Sequence, residues 1–169
     1  MVIIRPARRA DLPEVVRLCA AHAAYERAAP PPVDLASRLA ETLFTTDPRL
    51  WCLLAVNGDT AFGYATMSME FSTWRCSEYA HLDCLYVDEG YRGSHIGRLL
   101  LDAVAQRAHA LGATELQWQT PEWNVDAIRF YDRLGARGAP KVRYTLALTP
   151  VTAQSMLSGA ATQASTPRT

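Results

Sequence analysis

The stretch that decides the reading of this chain is His81-Leu-Asp-Cys-Leu-Tyr-Val-Asp-Glu-Gly-Tyr-Arg-Gly-Ser-His-Ile-Gly-Arg-Leu-Leu-Leu101. It opens as a short apolar run rich in strand formers and closes as an apolar pattern at helical spacing, with Arg92, Gly93 and Gly97 between. A strand feeding a glycine-bearing turn that opens a helix is an anion site in outline. The first helical N–H groups have no intrahelical acceptor, and the helix dipole adds partial positive charge. Arg92 contributes a permanent cation whose forked donors suit phosphate oxygens. The run has neither the Gly-Lys-Ser/Thr of a nucleotide-triphosphate loop nor the full G-x-G-x-x-G of a dinucleotide fold.

Working outward, 169 residues make one domain with room for a sizeable core. Lysine plus arginine (17) balances aspartate plus glutamate (17), so no overall field draws the chain to nucleic acid or to a membrane surface. Cys19, Cys52, Cys76 and Cys84 are widely spaced without a Cys-x-x-Cys pair, and read as reduced thiols, not as a disulfide frame or zinc site. The first residues hold too short an apolar run for a signal peptide, and no stretch approaches membrane-spanning length. These features lead us to expect a soluble, cytoplasmic protein. The domain is expected over residues 1–149. From residue 150 the composition turns to Ser, Thr, Ala, Gln and Pro, which reads as a disordered tail.

Along the chain, residues 2–5 read as a strand ended by Pro6, and Asp11 as the cap of a helix with Pro13 in its first turn and Glu14 completing a capping box. That helix runs through Tyr25 and Glu26 toward Pro30-Pro31-Pro32, and a second begins near Asp34. Residues 51–56, the turn Asn57-Gly58 and residues 62–71 form a hairpin. Residues 79–87 form the next strand. Its apolar positions Leu82, Leu85 and Val87 break strict alternation, which a β-bulge at 83–85 would reconcile. A helix follows with Ile96, Leu99, Leu100, Ala103, Val104, Ala108 and Leu111, stopped by Gly112. Then come a strand at 115–120, a short helix at 125–134 capped by Asn124, and a closing strand from the alternation of Val142, Tyr144, Leu146 and Leu148. The order β-α-α-β-β-β-α-β-α-β fits an α/β fold, a mixed sheet with helices on both faces.

Two segments carry a resemblance. Leu85-Tyr-Val-Asp-Glu-Gly-Tyr-Arg-Gly-Ser-His-Ile-Gly97 resembles the Arg/Gln-x-x-Gly-x-Gly/Ala loop of the GCN5-related N-acetyltransferase (GNAT) family, with His95 where the middle glycine is usual. Trp123-Asn-Val-Asp-Ala-Ile-Arg-Phe-Tyr-Asp-Arg-Leu-Gly-Ala136 resembles that family's Asn-x-x-Ala-x-x-Phe-Tyr block. With Ile4-Arg5-Pro6-Ala7 and Tyr25-Glu26, the likeness is greatest to the diamine/polyamine and thialysine branch and covers roughly residues 1–148. The family's mostly antiparallel sheet agrees with the order above.

The resemblance implies acetyl-coenzyme A as co-substrate, no metal, and direct transfer of acetyl to an amine. It places the pantetheine arm along Leu85, Tyr86 and Val87, with the Val87 N–H polarising the thioester, and the phosphates at Arg92, Gly93, Ser94, His95, Ile96, Gly97 and Arg98. Asn124 and Tyr131 are implied near the arm. Replacing glycine by His95 keeps the backbone N–H, provided the local dihedrals suit a residue with a Cβ. The chemistry sets its own demands. An alkyl amine near pKa 10.4 reaches its neutral, nucleophilic form at pH 7 at a cost of about 4–5 kcal/mol, so a base is needed, with oxyanion donors and an acid for the thiolate. By resemblance Asp83 is the base, in place of a glutamate, and Tyr131 the acid. The plain alternatives are a carboxylate at a sheet rim and a core tyrosine.

Tyr25 and Glu26 match the branch's acceptor-binding pair, and Glu70, Glu78, Asp83 and Glu122 favour a cationic amine. Thr73, and Arg137, Lys141 and Arg143, stand where the polyamine enzymes carry acidic residues, which favours a shorter amine, an amino acid side chain or an amine-bearing drug over a long polycation. A protein or peptide acetyltransferase and a non-catalytic coenzyme A-binding module remain as alternatives. A homodimer is expected by analogy with the family.

Overall fold

The computed structural model describes residues 1–148; the tail expected from residue 150 lies outside the described residues. The chain divides into two compact units, one of residues 1–121 and one that begins at Glu122.

The first unit is a five-stranded sheet in the order β1 (Ile3–Pro6), β2 (Trp51–Asn57), β3 (Thr60–Ser72), β4 (Ser77–Val87) and β5 (Leu116–Gln117). The first four strands are antiparallel neighbours, and β5 lies parallel to β4 after the crossover helix α3 (Ile96–Ala110). Helices α1 (Leu12–Tyr25) and α2 (Leu35–Leu43) fill the connection from β1 to β2. Gly58, at φ +59°, supplies the left-handed residue that turns β2 into β3.

Residues 52–56 and 61–67 are buried without interruption, because the strands are covered on both faces. On one face Val15 and Leu18 of α1 pack with Cys52, Leu54, Val56, Tyr64 and Tyr86. On the other, a Cβ at Gly63 would stand 3.3 Å from Leu100 of α3, so successive β3 residues face the two helices. Burial of a Leu18 or Leu54 side chain stabilises the fold by about 1.5–3 kcal/mol each. The α3 stripe is Ile96, Leu100, Leu101, Val104 and Ala108, whereas Leu99, expected in it, is exposed.

Asp11 does precede α1, but its side chain caps no helical N–H. It accepts instead from both terminal nitrogens of Arg5, at 2.6 and 2.9 Å, and from the Arg8 N–H at 2.7 Å. A guanidinium fork satisfies a carboxylate more strongly than a helix-end amide does. Arg17 anchors the same helix, donating to the Ala61 carbonyl at 2.7 Å and pairing with Asp88 at 3.0 Å.

The second unit contains α4 (Val125–Arg133), closed by Gly135 at φ +80°. The closing strand is a correction. Residues 141–148 form no strand, and Val142, Tyr144, Leu146 and Leu148 are exposed. Alternation supplies a face, but a strand is held by a ladder partner, and none is recorded for this segment among the described residues. The same reason shortens β5 from the expected six residues to the two that meet β4.

Candidate functional site

The register between β3 and β4 runs Thr66↔Cys84 and then Met67↔Leu82, so Asp83 is an extra residue without a partner in the ladder. This is the bulge that Leu82 and Leu85 required. It turns Asp83 outward, exposed, with the Cys84 thiol donating to its carboxylate at 3.6 Å. On its other side β4 meets β5 only at Ala80 and His81. Leu85, Tyr86 and Val87 lie beyond that pairing, on a strand already paired with β3 through Ala65, Tyr64 and Gly63.

A single 3-10 turn, Glu89–Tyr91, follows β4, with Tyr91 stacked on Phe62 at 4.6 Å. The chain then passes Gly93 at φ +78° and His95 at φ +61° and enters α3 at Ile96. The position where relatives of the loop carry glycine is therefore left-handed. His95 holds a conformation that costs a residue with a Cβ about 1–2 kcal/mol, although histidine is among the residues that tolerate it best. No side chain caps the helix at His95. The first-turn N–H groups of Ile96, Gly97 and Arg98 project from the end of a fifteen-residue helix, beside left-handed turn residues of the kind that build anion concavities.

Arg92 does more than border this loop. Its Nε–H donates to the Val87 carbonyl at 2.9 Å, and its guanidinium lies 4.5 Å from the Tyr25 ring centre and 5.5 Å from that of Tyr86. Tyr25 and Tyr86 are themselves 6.3 Å apart. The end of α1, the end of β4 and the loop before α3 thus meet at one arginine.

Sequence reasoning missed what lies behind this cluster. His22, one helical turn before Glu26, places Nε2 3.5 Å from the Glu26 carboxylate and Nδ1 3.0 Å from the Tyr64 hydroxyl. Its ring stacks on Tyr86 at 5.2 Å. Cys19 and Cys84 reach the same Tyr64 hydroxyl. Burial lowers the His22 pKa below its ordinary value, against the opposing pull of Glu26. Burial pushes the Cys84 thiol up to about 12, raises Cys19, and drives the Tyr64 phenol far above the usual range. The signal available in the sequence was the i, i+4 spacing of His22 and Glu26.

Of the other acidic candidates, Glu70 accepts a hydrogen bond from Tyr79, its cross-strand partner, and is committed to β3–β4 pairing beyond the bulge. Glu78 lies opposite Phe71 in the same ladder. Among the described residues no group of three or more His, Cys, Asp or Glu could hold a metal, and no helix is long and apolar enough to cross a membrane.

Within the second unit, Asn124 is buried and its side chain accepts the Ala127 N–H at 3.3 Å, the cap expected from its position. Tyr131 lies on α4, partly buried, with its ring 5.2 Å from that of Phe130.

A bulged strand, a turn with left-handed residues and an uncapped helix start thus form a candidate anion-binding arrangement beside an outward-facing carboxylate. The sequence profile described as the acetyltransferase (GNAT) family matches residues 16–136, so the chain belongs to that family and is an acetyl-transferring enzyme. It is 29% identical to thialysine N-epsilon-acetyltransferase of Bos taurus over 80% of this chain and 84% of that one. It is 30% identical to L-ornithine N5-acetyltransferase of Arabidopsis thaliana over 48% of this chain, a match spanning 36% of the plant enzyme. The fold is similar to the crystal structure of a transcriptional regulator from Bacillus halodurans, with TM-score 0.75, 24% identity, and coverage of 86% of this chain and 99% of that one.

Proposed function

We propose that this protein is an acetyl-coenzyme A-dependent N-acetyltransferase acting on a primary amine of a small cationic molecule. The single observation that carries the reading is the bulge that presents Asp83 on the strand leading into the Arg92 loop and the α3 N-terminus. The first-turn donors of Ile96, Gly97 and Arg98, with Gly93, Ser94, His95 and Arg92, fit phosphate oxygens. The main chain of Leu85, Tyr86 and Val87 offers an edge on which the pantetheine arm would lie as an added strand. When bound, the co-substrate supplies an activated acetyl thioester. In this reading Val87 donates its N–H to the developing oxyanion, and Asp83 takes a proton from the acceptor ammonium, through a water because its side chain is short, so that the neutral amine attacks. The family resemblance assigns Asn124 to the arm. Tyr131 protonates the departing thiolate, which is uphill from a phenol near pKa 10 to a thiol near 8.5 and so relies on proximity.

Tyr25 and Glu26 receive the acceptor, and relatives named for acetylating thialysine and ornithine support an amine on a short aliphatic stem. The protein works in the cytoplasm as a homodimer. The test is thiol release from acetyl-coenzyme A with 1,4-diaminobutane, spermidine, L-lysine, L-ornithine, an aminoglycoside and a lysine-bearing peptide. Turnover of the small amines above the peptide is expected. Peptide-only turnover would mean a protein acetyltransferase, and coenzyme A binding without any turnover a non-catalytic module.

A further inference from the structure

The interior groups behind Glu26, namely His22, Tyr64 and Cys84, have no part in the acetyl transfer just described. Glu26 faces Nε2 of His22 at 3.5 Å, Nδ1 of His22 faces the Tyr64 hydroxyl at 3.0 Å, Cys84 reaches that hydroxyl, and the Cys84 thiol donates to Asp83 at 3.6 Å. With one proton, the Cys84 thiol donates either to Asp83 or to the Tyr64 oxygen, so the run from Glu26 through His22 and Tyr64 stops short of a continuous link to the proposed base. As a proton wire it is poor, because the Cys84 thiol and the Tyr64 phenol both hold their protons well above the usual range. Its first part, from Glu26 through His22 to Tyr64, is a consistent set of hydrogen bonds.

Its orientation follows from donor and acceptor inventory. An ionised carboxylate only accepts, so Nε2 carries the proton toward Glu26. A neutral ring then leaves Nδ1 as an acceptor, filled by the Tyr64 O–H. The ring is clamped by stacking on Tyr86, and the His22 side chain is only 13% exposed against 36% for Glu26. The clamped, more buried partner thus steers the more exposed one.

We propose that His22 is a positioning residue: as the neutral Nε2–H tautomer it aims the Glu26 carboxylate at the acceptor ammonium, and its protonation neutralises Glu26 and weakens capture of a cationic amine. This rests on the reading of Glu26 as part of the acceptor site. The groups around the ring are Glu26 and Cys19 on α1, Tyr64 on β3, Asp83, Cys84 and Tyr86 on β4, and Arg92 in the loop. Burial and Arg92 oppose protonation, and Glu26 and Asp83 favour it. Burial prevails, so the ring stays neutral, and leaves the Glu26 carboxylate without a cationic partner on this side, to lower pH than an ordinary imidazole would.

Two measurements test this. In multiple-bond proton–nitrogen spectra of histidine-labelled protein, with His22 assigned by its loss in His22→Gln, the ring should be the Nε2–H tautomer at pH 7.5. Glu26→Gln should lower its pKa further, since a favourable partner of the imidazolium is gone. An Nδ1–H tautomer, or a titration unmoved by Glu26→Gln, overturns the proposal whatever the enzyme turns over. In kinetics, KM for 1,4-diaminobutane or L-lysine, whichever the panel shows turned over, should rise severalfold between pH 6.5 and 5. His22→Gln, which keeps a donor near Nε2, should hold KM within about threefold at pH 8 and remove that rise. His22→Leu should raise KM severalfold at pH 8 with kcat within about twofold. Identical KM profiles in the three proteins overturn the proposal. Absence of turnover with every amine defeats the proposed function instead, and leaves the spectroscopic arm to decide the His22–Glu26 coupling.

Discussion

The Arg92 Nε–H donates to the Val87 carbonyl over 2.9 Å, and this bond fixes the last residue of β4 relative to the loop that enters α3. The same guanidinium covers Tyr25 and Tyr86. One side chain therefore ties the end of β4 and two tyrosines to the loop before α3.

Substitution at Arg92 should separate charge from shape. Arg92→Glu is expected to weaken acetyl-coenzyme A binding by tens of fold and to flatten its dependence on salt, since one cation facing the phosphates is lost. Arg92→Lys keeps the charge but loses the planar fork and stacking, and should fall between the two. Calorimetry at two ionic strengths checks this, and equal affinity for wild type and Arg92→Glu would remove the assignment.

At His95 the expectation has a definite sign. Because its φ is +61°, His95→Gly should relieve left-handed strain and raise stability by about 0.5–1 kcal/mol after the added backbone entropy of glycine. Coenzyme A affinity should stay within a few fold, because the backbone N–H is unchanged. A hundredfold loss of affinity in His95→Gly would instead make the ring a phosphate ligand.

Asp11 should govern part of the acid limb of stability. Its hydrogen bonds from Arg5, aided by the Arg8 N–H, hold its carboxyl below the ordinary value of 3.8. The stabilisation is then fully present above that ordinary value and is lost as pH falls through the depressed one. Asp11→Asn should cost about 1.5–3 kcal/mol at pH 7 and almost nothing near pH 2. Denaturant melts across that range check it; a constant difference between the two proteins at every pH would contradict the ion pair.

Acid and base should part company kinetically. Tyr131→Phe should lower kcat by roughly 10²–10⁴-fold, with little change in KM or Tm, if its hydroxyl protonates the thiolate. Asp83→Asn should lower the rate most near neutral pH, and the defect should shrink toward the amine's own pKa, where solution supplies the neutral nucleophile. If Asp83 only attracts a cation, KM rises and kcat stays level at every pH. Profiles of both constants from pH 6.5 to 10 distinguish the two.

Local chemistry made much of this protein legible in its sequence. Asn57-Gly58, the turn that enters α3 and the Asn124 cap are encoded within a few residues and took the predicted form, as did the α3 stripe apart from Leu99, which is exposed. Broken alternation at Leu82 and Leu85 even located the bulge, because a period of two tolerates no exception without an extra residue. Long-range partners decided the rest. Asp11 bonds Arg5 instead of capping α1, β5 extends only where β4 receives it, and residues 141–148 stay out of the ladder despite a strand-like pattern. His22 acquires its setting only when β3 brings Tyr64 and β4 brings Tyr86 to the end of α1. Pattern fixes which face a residue shows, whereas the partner across that face, set by the packing of distant segments, fixes what the residue does.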